Sequence, residues 1–175
     1  MATRPTQAVA LGPPLDTRLA RLSLAFVRIV FGCLWLANAA WKVPPDFDGL
    51  RHFTSFAVTN PVFAPYSYVV EHVILTHLTP FGYGVMVSEA AIGAFLILGL
   101  ATRFWALVGL AQAVAIMLSV LNAPNEWTWA YYMLISGQLL LWATAAGRAY
   151  GLDGVLRPGW ASSSKRVWNL LGMAS

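Results

Sequence analysis

The sequence predicts an all-α integral membrane protein, a four-transmembrane-helix bundle with a helical outer loop between spans one and two. Of its 175 residues 58% are hydrophobic and only 10% charged, whereas an ordinary soluble domain carries about 25% charged residues. The mean hydropathy is +0.64. Four segments reach the ~17–25 apolar residues that a hydrocarbon core of ~30 Å requires. They are too long and too evenly apolar for the alternating ~10-residue strands of an outer-membrane barrel. A soluble enzyme, a disordered chain and a disulfide-stapled scaffold are disfavoured on the same grounds, and the length suggests one domain.

Residues 1–21 form an arm on the cytoplasmic side, with Pro5, Pro13, Pro14 and three arginines but no apolar core. It is therefore no cleavable signal peptide, and the first span acts as the insertion signal. The membrane domain, 22–146, comprises spans 22–41, 81–100, 104–121 and 129–146. The connection 101–103 allows only a tight hairpin, and 122–128 is nearly as short. The connection 42–80 is long enough that a structureless loop is disfavoured. Phe47, Leu50, Phe53, Thr54 and Ala57 follow helical spacing there, and Pro61 and Pro65 break the chain before a second short helix near 66–78. Two interfacial helices forming an outer cap are expected. Residues 147–175 form a C-terminal tail.

Four spans put both termini and the 101–103 turn on one side. Arg4, Arg18, Arg21, Arg103, Arg148, Arg157, Lys165 and Arg166 lie there, against Lys42 and Arg51 opposite. The positive-inside rule makes both termini cytoplasmic, in a multi-pass protein of the cell (inner) membrane. The net charge of +4 then reflects topology and implies no nucleic-acid partner. The partners expected are membrane lipid and other membrane-protein subunits.

Polar groups inside a bilayer are costly and usually face the bundle interior or a cavity. Each span carries one stripe of them at helical spacing: Arg28, Trp35, Asn38 and Lys42; Gly82, Glu89 and Gly93; Gln112, Ser119 and Asn122; Tyr131 and Gln138. Arg28 and Glu89 are expected to form an intramembrane ion pair. From the helical rise Arg28 lies roughly 10 Å and Glu89 roughly 17 Å from the inner boundary, within an arginine's reach. Side chains lean toward the helix N-terminus, however, which draws these two apart. The alternative has Arg28 snorkelling to the inner interface and Glu89 protonated or bonded to Gln112.

The outer half holds the candidate ligand or quinone pocket, lined by Trp35, Asn38, Lys42, Gln112, Asn122, Trp127, Trp129 and Tyr131 beneath the cap. The tryptophans offer flat apolar surface, or else form only an interfacial belt. No catalytic residue can be assigned. A lone cysteine, Cys33, excludes an intrachain disulfide, a Cys-ligated zinc and an iron–sulfur cluster. His52, His72 and His77 all lie between spans one and two, which excludes a bis-histidine haem in the bundle. Glu71, His72 and His77 are poorly spaced for a metal, so no metal site is expected. Any redox work must use a diffusible quinone, the substrate itself or a partner's cofactor.

The run VRIVFGCLWLANAAWKVPPDF, with Arg28, Gly32 and Lys42, resembles the opening of the DoxX/DoxD family. So do SEAAIGAFLILGLATR, with Glu89, Gly93, Gly99 and Arg103, and WTWAYYMLISGQLLLWATAAGRAYGLDGVL, with Gly147, Arg148, Leu152 and Asp153. The resemblance covers about residues 26–156, and the long proline-bearing loop is more like the DoxD branch, a subunit of thiosulfate:quinone oxidoreductase. It implies a four-helix membrane fold, an exchangeable quinone with no tightly bound cofactor, and quinone-dependent redox. Two readings follow. In one, thiosulfate or another small sulfur anion meets Lys42 and Arg51 at the outer face and electrons pass to quinone. In the other, the chain is a non-catalytic accessory subunit stabilising a larger respiratory or photosynthetic complex.

Overall fold

The computed structural model describes residues 17–161 and 172–175. Arg4, Lys165 and Arg166, which contribute to the charge count above, lie outside them. Among the described residues every regular element is helical. The Thr17 hydroxyl caps α1 (Arg18–Ala40) by accepting from the Ala20 amide at 3.2 Å, so the helix starts four residues before the expected span. The connection carries α2 (Asp48–Thr59) and α3 (Ala64–Val69). A π-helical turn, Val70–Ile74, follows α3, and α4 (Leu78–Leu98) begins four residues later.

The helix α4 stops at Gly99, whose φ of 66° is left-handed. The Leu100 amide donates back to the Phe95 carbonyl at 3.1 Å, which closes the C-terminal turn that glycine favours. A side chain at Gly99 would also collide with the Arg28 guanidinium. Helix α5 (Thr102–Val120) starts at once, making the tight hairpin, and α6 is Thr128–Ala143. The expected continuation of this last span to residue 146 does not form. Ala145 turns left-handed at φ 48° and leads into a 3₁₀ turn, Ala146–Arg148, and then α7 (Leu152–Ala161).

By length and composition α1, α4 and α5 are able to cross a membrane, whereas α6 has only 16 residues. Only 22–28% of each apolar window is buried within the protein, so most of that surface is left for lipid. Helix α1 packs along α4, α5 along α6, and α4 against α5. The first contact depends on missing side chains: a Cβ on Gly32 or on Gly93 would stand 2.8 Å from the other residue's carbonyl oxygen. Small residues allow this approach where no hydrophobic effect drives helices together. The core between the helices gathers Trp35, Ile92, Leu96, Ala106, Ala113 and Leu141. A second cluster, Phe47, Leu50 and Leu78, fastens α2 to the start of α4.

Candidate functional site

A cavity of about 630 Å³ lies between α1, α4, α5 and the segment carrying α2 and α3. Its walls are largely apolar, with Leu50 and Phe53 from α2, Phe81 and Val85 from α4, and Ile116 from α5. Tyr66 reaches across from α3, and its hydroxyl lies 2.9 Å from Ser119 Oγ and 3.1 Å from the Ala115 carbonyl oxygen. Burial raises the pKa of that hydroxyl, and the Ser119 contact opposes the shift. Asn122 holds the same segment by donating to the Pro61 carbonyl at 3.0 Å.

The polar groups of the cavity centre on Glu89, which has no exposed surface. Lys42 Nζ donates to Glu89 Oε2 at 2.5 Å, Asn38 Nδ2 to Oε1 at 2.9 Å, and Gln112 Nε2 to Oε1 at 3.2 Å. Lys42 Nζ also donates to the Asn38 carbonyl at 2.8 Å and lies over the Trp41 ring, 4.3 Å from its centroid. Ser88 orients the Gln112 amide by donating to its oxygen at 3.2 Å. On a further wall the Tyr131 hydroxyl donates to the Glu126 carboxylate.

The expected ion pair is therefore replaced by another. Glu89 pairs with Lys42, not Arg28, and the direction of side chains on a helix explains why. Lys42 folds back one turn along α1 to its own Asn38 carbonyl, while Glu89 on antiparallel α4 leans the opposite way, so the two converge. Arg28 leans away from Glu89. It lies buried at the other end of the bundle, where Nη2 donates to the carbonyls of Ala149 at 3.5 Å and Tyr150 at 3.4 Å. Asp153 organises that end by accepting the Ala101 amide at 2.7 Å and the Thr102 amide at 2.9 Å. Thus Gly99, Gly147 and Asp153, motif positions far apart in sequence, meet in one structural clamp around Arg28.

Of the eight residues expected to line the pocket, Asn38, Lys42, Gln112 and Tyr131 do so. Trp35 is 2% exposed within the helix core, because its arc on α1 points at α4 and α6 below the cavity level. Asn122 ties down the cap segment. Trp127 and Trp129 stack on each other at 5.8 Å and remain exposed outside the cavity. Arg51 is exposed on α2, and Lys42, only 4% exposed, presents no free cation at the surface. Sequence reasoning missed Trp41, Tyr66 and Glu126. Tyr66 meets α5 through a tertiary contact that no local pattern announces. Among the described residues no three of His, Cys, Asp and Glu come close enough to hold a metal ion.

The family model described as DoxD, TQO small subunit DoxD, matches residues 17–174. No curated protein and no solved structure matches the chain.

Proposed function

The chain belongs to the DoxD family, and from that membership we propose that the cavity holds the quinone of a thiosulfate:quinone oxidoreductase. The family itself supports quinone-linked redox in a membrane subunit. The observation that carries the finer reading is the charge balance of the cavity. One ammonium, Lys42, faces two carboxylates, Glu89 and Glu126, and is already engaged by one of them. A sulfur dianion entering there would lose its hydration and meet excess negative charge, which is unfavourable in a low-dielectric site. A neutral quinone meets neither obstacle.

The donor inventory fits a carbonyl ligand. An ammonium has three N–H donors and a carboxamide two. Lys42 uses two of its three and Gln112 one of its two, so each retains one donor on the cavity wall. Phe53, Phe81 and Ile116 supply apolar surface for the ring, and the volume lies within the ~300–1,000 Å³ usual for small-molecule sites. Electrons come from a partner subunit that meets the sulfur anion, in keeping with a small-subunit role. The accessory part of that role is the docking of this chain against such a partner.

The membrane arrangement belongs to the same proposal. Helix α6 and its 3₁₀ extension make the fourth span, since 16 residues rise about 24 Å and the added turn carries the chain further. Arg18, Arg21, Arg103, Arg148 and Arg157 then gather at the Arg28 end, which is cytoplasmic by the positive-inside rule. The cavity and its cap face outward. The test is quinone binding to the purified protein, read by quenching of intrinsic tryptophan fluorescence. Decylubiquinone should bind, Gln112→Leu should weaken it about three- to tenfold through one lost hydrogen bond, and millimolar thiosulfate should not compete. Competition by thiosulfate, or no saturable quinone binding, overturns the reading.

A further inference from the structure

The opposite end of the molecule holds a second cavity, of about 240 Å³, lined by Arg148, Asp153, Gly154, Arg157 and Pro158. Both Asp153 oxygens accept the amides that open α5, and each keeps a further lone pair, so this single carboxylate stands beside the guanidinium groups of both Arg148 and Arg157. Arg148 Nη2 donates to the Ser175 backbone oxygen at 3.0 Å. Its Nε is buried with no hydrogen-bond partner. Arg103 stands nearby, held by its Nε bond to the Trp142 carbonyl at 3.2 Å and by its position over the Trp142 ring. This corner gathers more positive charge than the protein itself neutralises.

The helix that forms the cavity has two faces. Asp153 and Trp160 are buried on one, and Arg157 lies one turn from Asp153 on that side. Leu152, Val155 and Leu156 share the other at i, i+3 and i+4 spacing and are exposed. Tyr150, just before the helix, is exposed too, with the Arg21 guanidinium over its ring at 5.0 Å. A short helix with an unpartnered apolar face and a basic edge, attached to the end of a membrane bundle, fits the boundary between acyl chains and headgroups. Basic pockets at that level take anionic headgroups.

We infer that the cavity at Arg148 and Arg157 binds the phosphodiester of an acidic phospholipid, whose acyl chains lie along Leu152, Val155 and Leu156. Two non-ester oxygens match the unpaired guanidinium donors, and the apolar face beside them selects a lipid over free phosphate. Binding there ties α7 to the membrane and adds to the Asp153 clamp at the α4–α5 turn.

The test titrates the purified full chain in mild detergent with dihexanoylphosphatidylglycerol, dihexanoylphosphatidylcholine or inorganic phosphate, taking apparent affinities from thermal shifts. The phosphatidylglycerol should bind at least about tenfold more tightly than the phosphatidylcholine. Arg148→Gln and Arg157→Gln should each weaken it about fivefold, the factor for one cation near a charged headgroup. Arg51→Gln, exposed near the other end, should leave it unchanged. Arg157 is exposed, so its variant remains informative if Arg148→Gln folds poorly. Equal affinity for the two lipids, or no response to Arg157→Gln, overturns the inference. Inorganic phosphate matching phosphatidylglycerol also overturns it, since the site would then hold a free oxyanion.

Discussion

Glu89→Gln keeps the side chain's size and removes only its charge and one acceptor, leaving the buried Lys42 ammonium without a counter-ion. Glu89 accepts three donors, at 2.5, 2.9 and 3.2 Å. Polar contacts inside membrane proteins are worth about 0.6–1.7 kcal/mol each, so three sum to roughly 2–5 kcal/mol. Breaking one partner of a buried pair in soluble proteins costs about 3–5 kcal/mol. A loss near 3 kcal/mol is therefore expected for Glu89→Gln. Lys42→Met should lose about 2 kcal/mol, because the stranded carboxyl can take up a proton. The double variant Lys42→Met with Glu89→Gln strands no charge and should lose only about 2 kcal/mol, giving a coupling near 3 kcal/mol. The assay is unfolding in mixed micelles by added sodium dodecyl sulfate, followed by circular dichroism. Arg28→Leu should add to Glu89→Gln within about 0.5 kcal/mol, as uncoupled sites do. The reasoning fails if the Lys42 and Glu89 losses simply add, or if Arg28→Leu rescues Glu89→Gln.

Asp153→Ala removes the acceptor of two helix-opening amides and should cost about 2 kcal/mol in the same assay, a cap loss at the upper end of its range. Gly82→Ala would place a Cβ 2.7–2.9 Å from the Phe47 ring; displacing that ring should cost about 1–3 kcal/mol and make residues 42–60 newly sensitive to limited proteolysis. For Tyr66 the fold favours the protonated hydroxyl, so its contribution is full below the ordinary tyrosine value near pH ~10 and is lost as the pH rises through the higher folded value. Wild type should accordingly lose stability above about pH 10 relative to Tyr66→Phe, measured by unfolding at stepped pH. In a Cys33→Ala background, Ser55→Cys should react with a membrane-impermeant maleimide applied to intact cells, and Arg157→Cys, exposed on α7, should react only after lysis.

Helix positions were legible because they rest on local chemistry: apolar length, the glycine at the end of α4, and the prolines that divide the connection. The polar stripe on α1 also identified Asn38 and Lys42 as inward-facing. The partner of Glu89 was misread because depth was reckoned from backbone rise, whereas Lys42 turns back a full turn and erases that difference. The short α6 was not legible either. Its composition runs on through Ala146, and only the left-handed Ala145 ends it. Gly82 looked like one member of a polar face, and its use became visible only with the Phe47 ring lying against it. Long-range fits of this kind leave little trace in local periodicity.

The central claim is that quinone occupies the cavity beneath α2 and α3, and photolabelling with an azidoquinone in native membranes tests it most directly. Peptide mapping should place the label on cavity-lining segments containing Phe53, Tyr66, Phe81 or Ile116, and excess decylubiquinone should suppress it. Label confined to Trp127 and Trp129 on the outer surface, or unaffected by added quinone, would contradict the account.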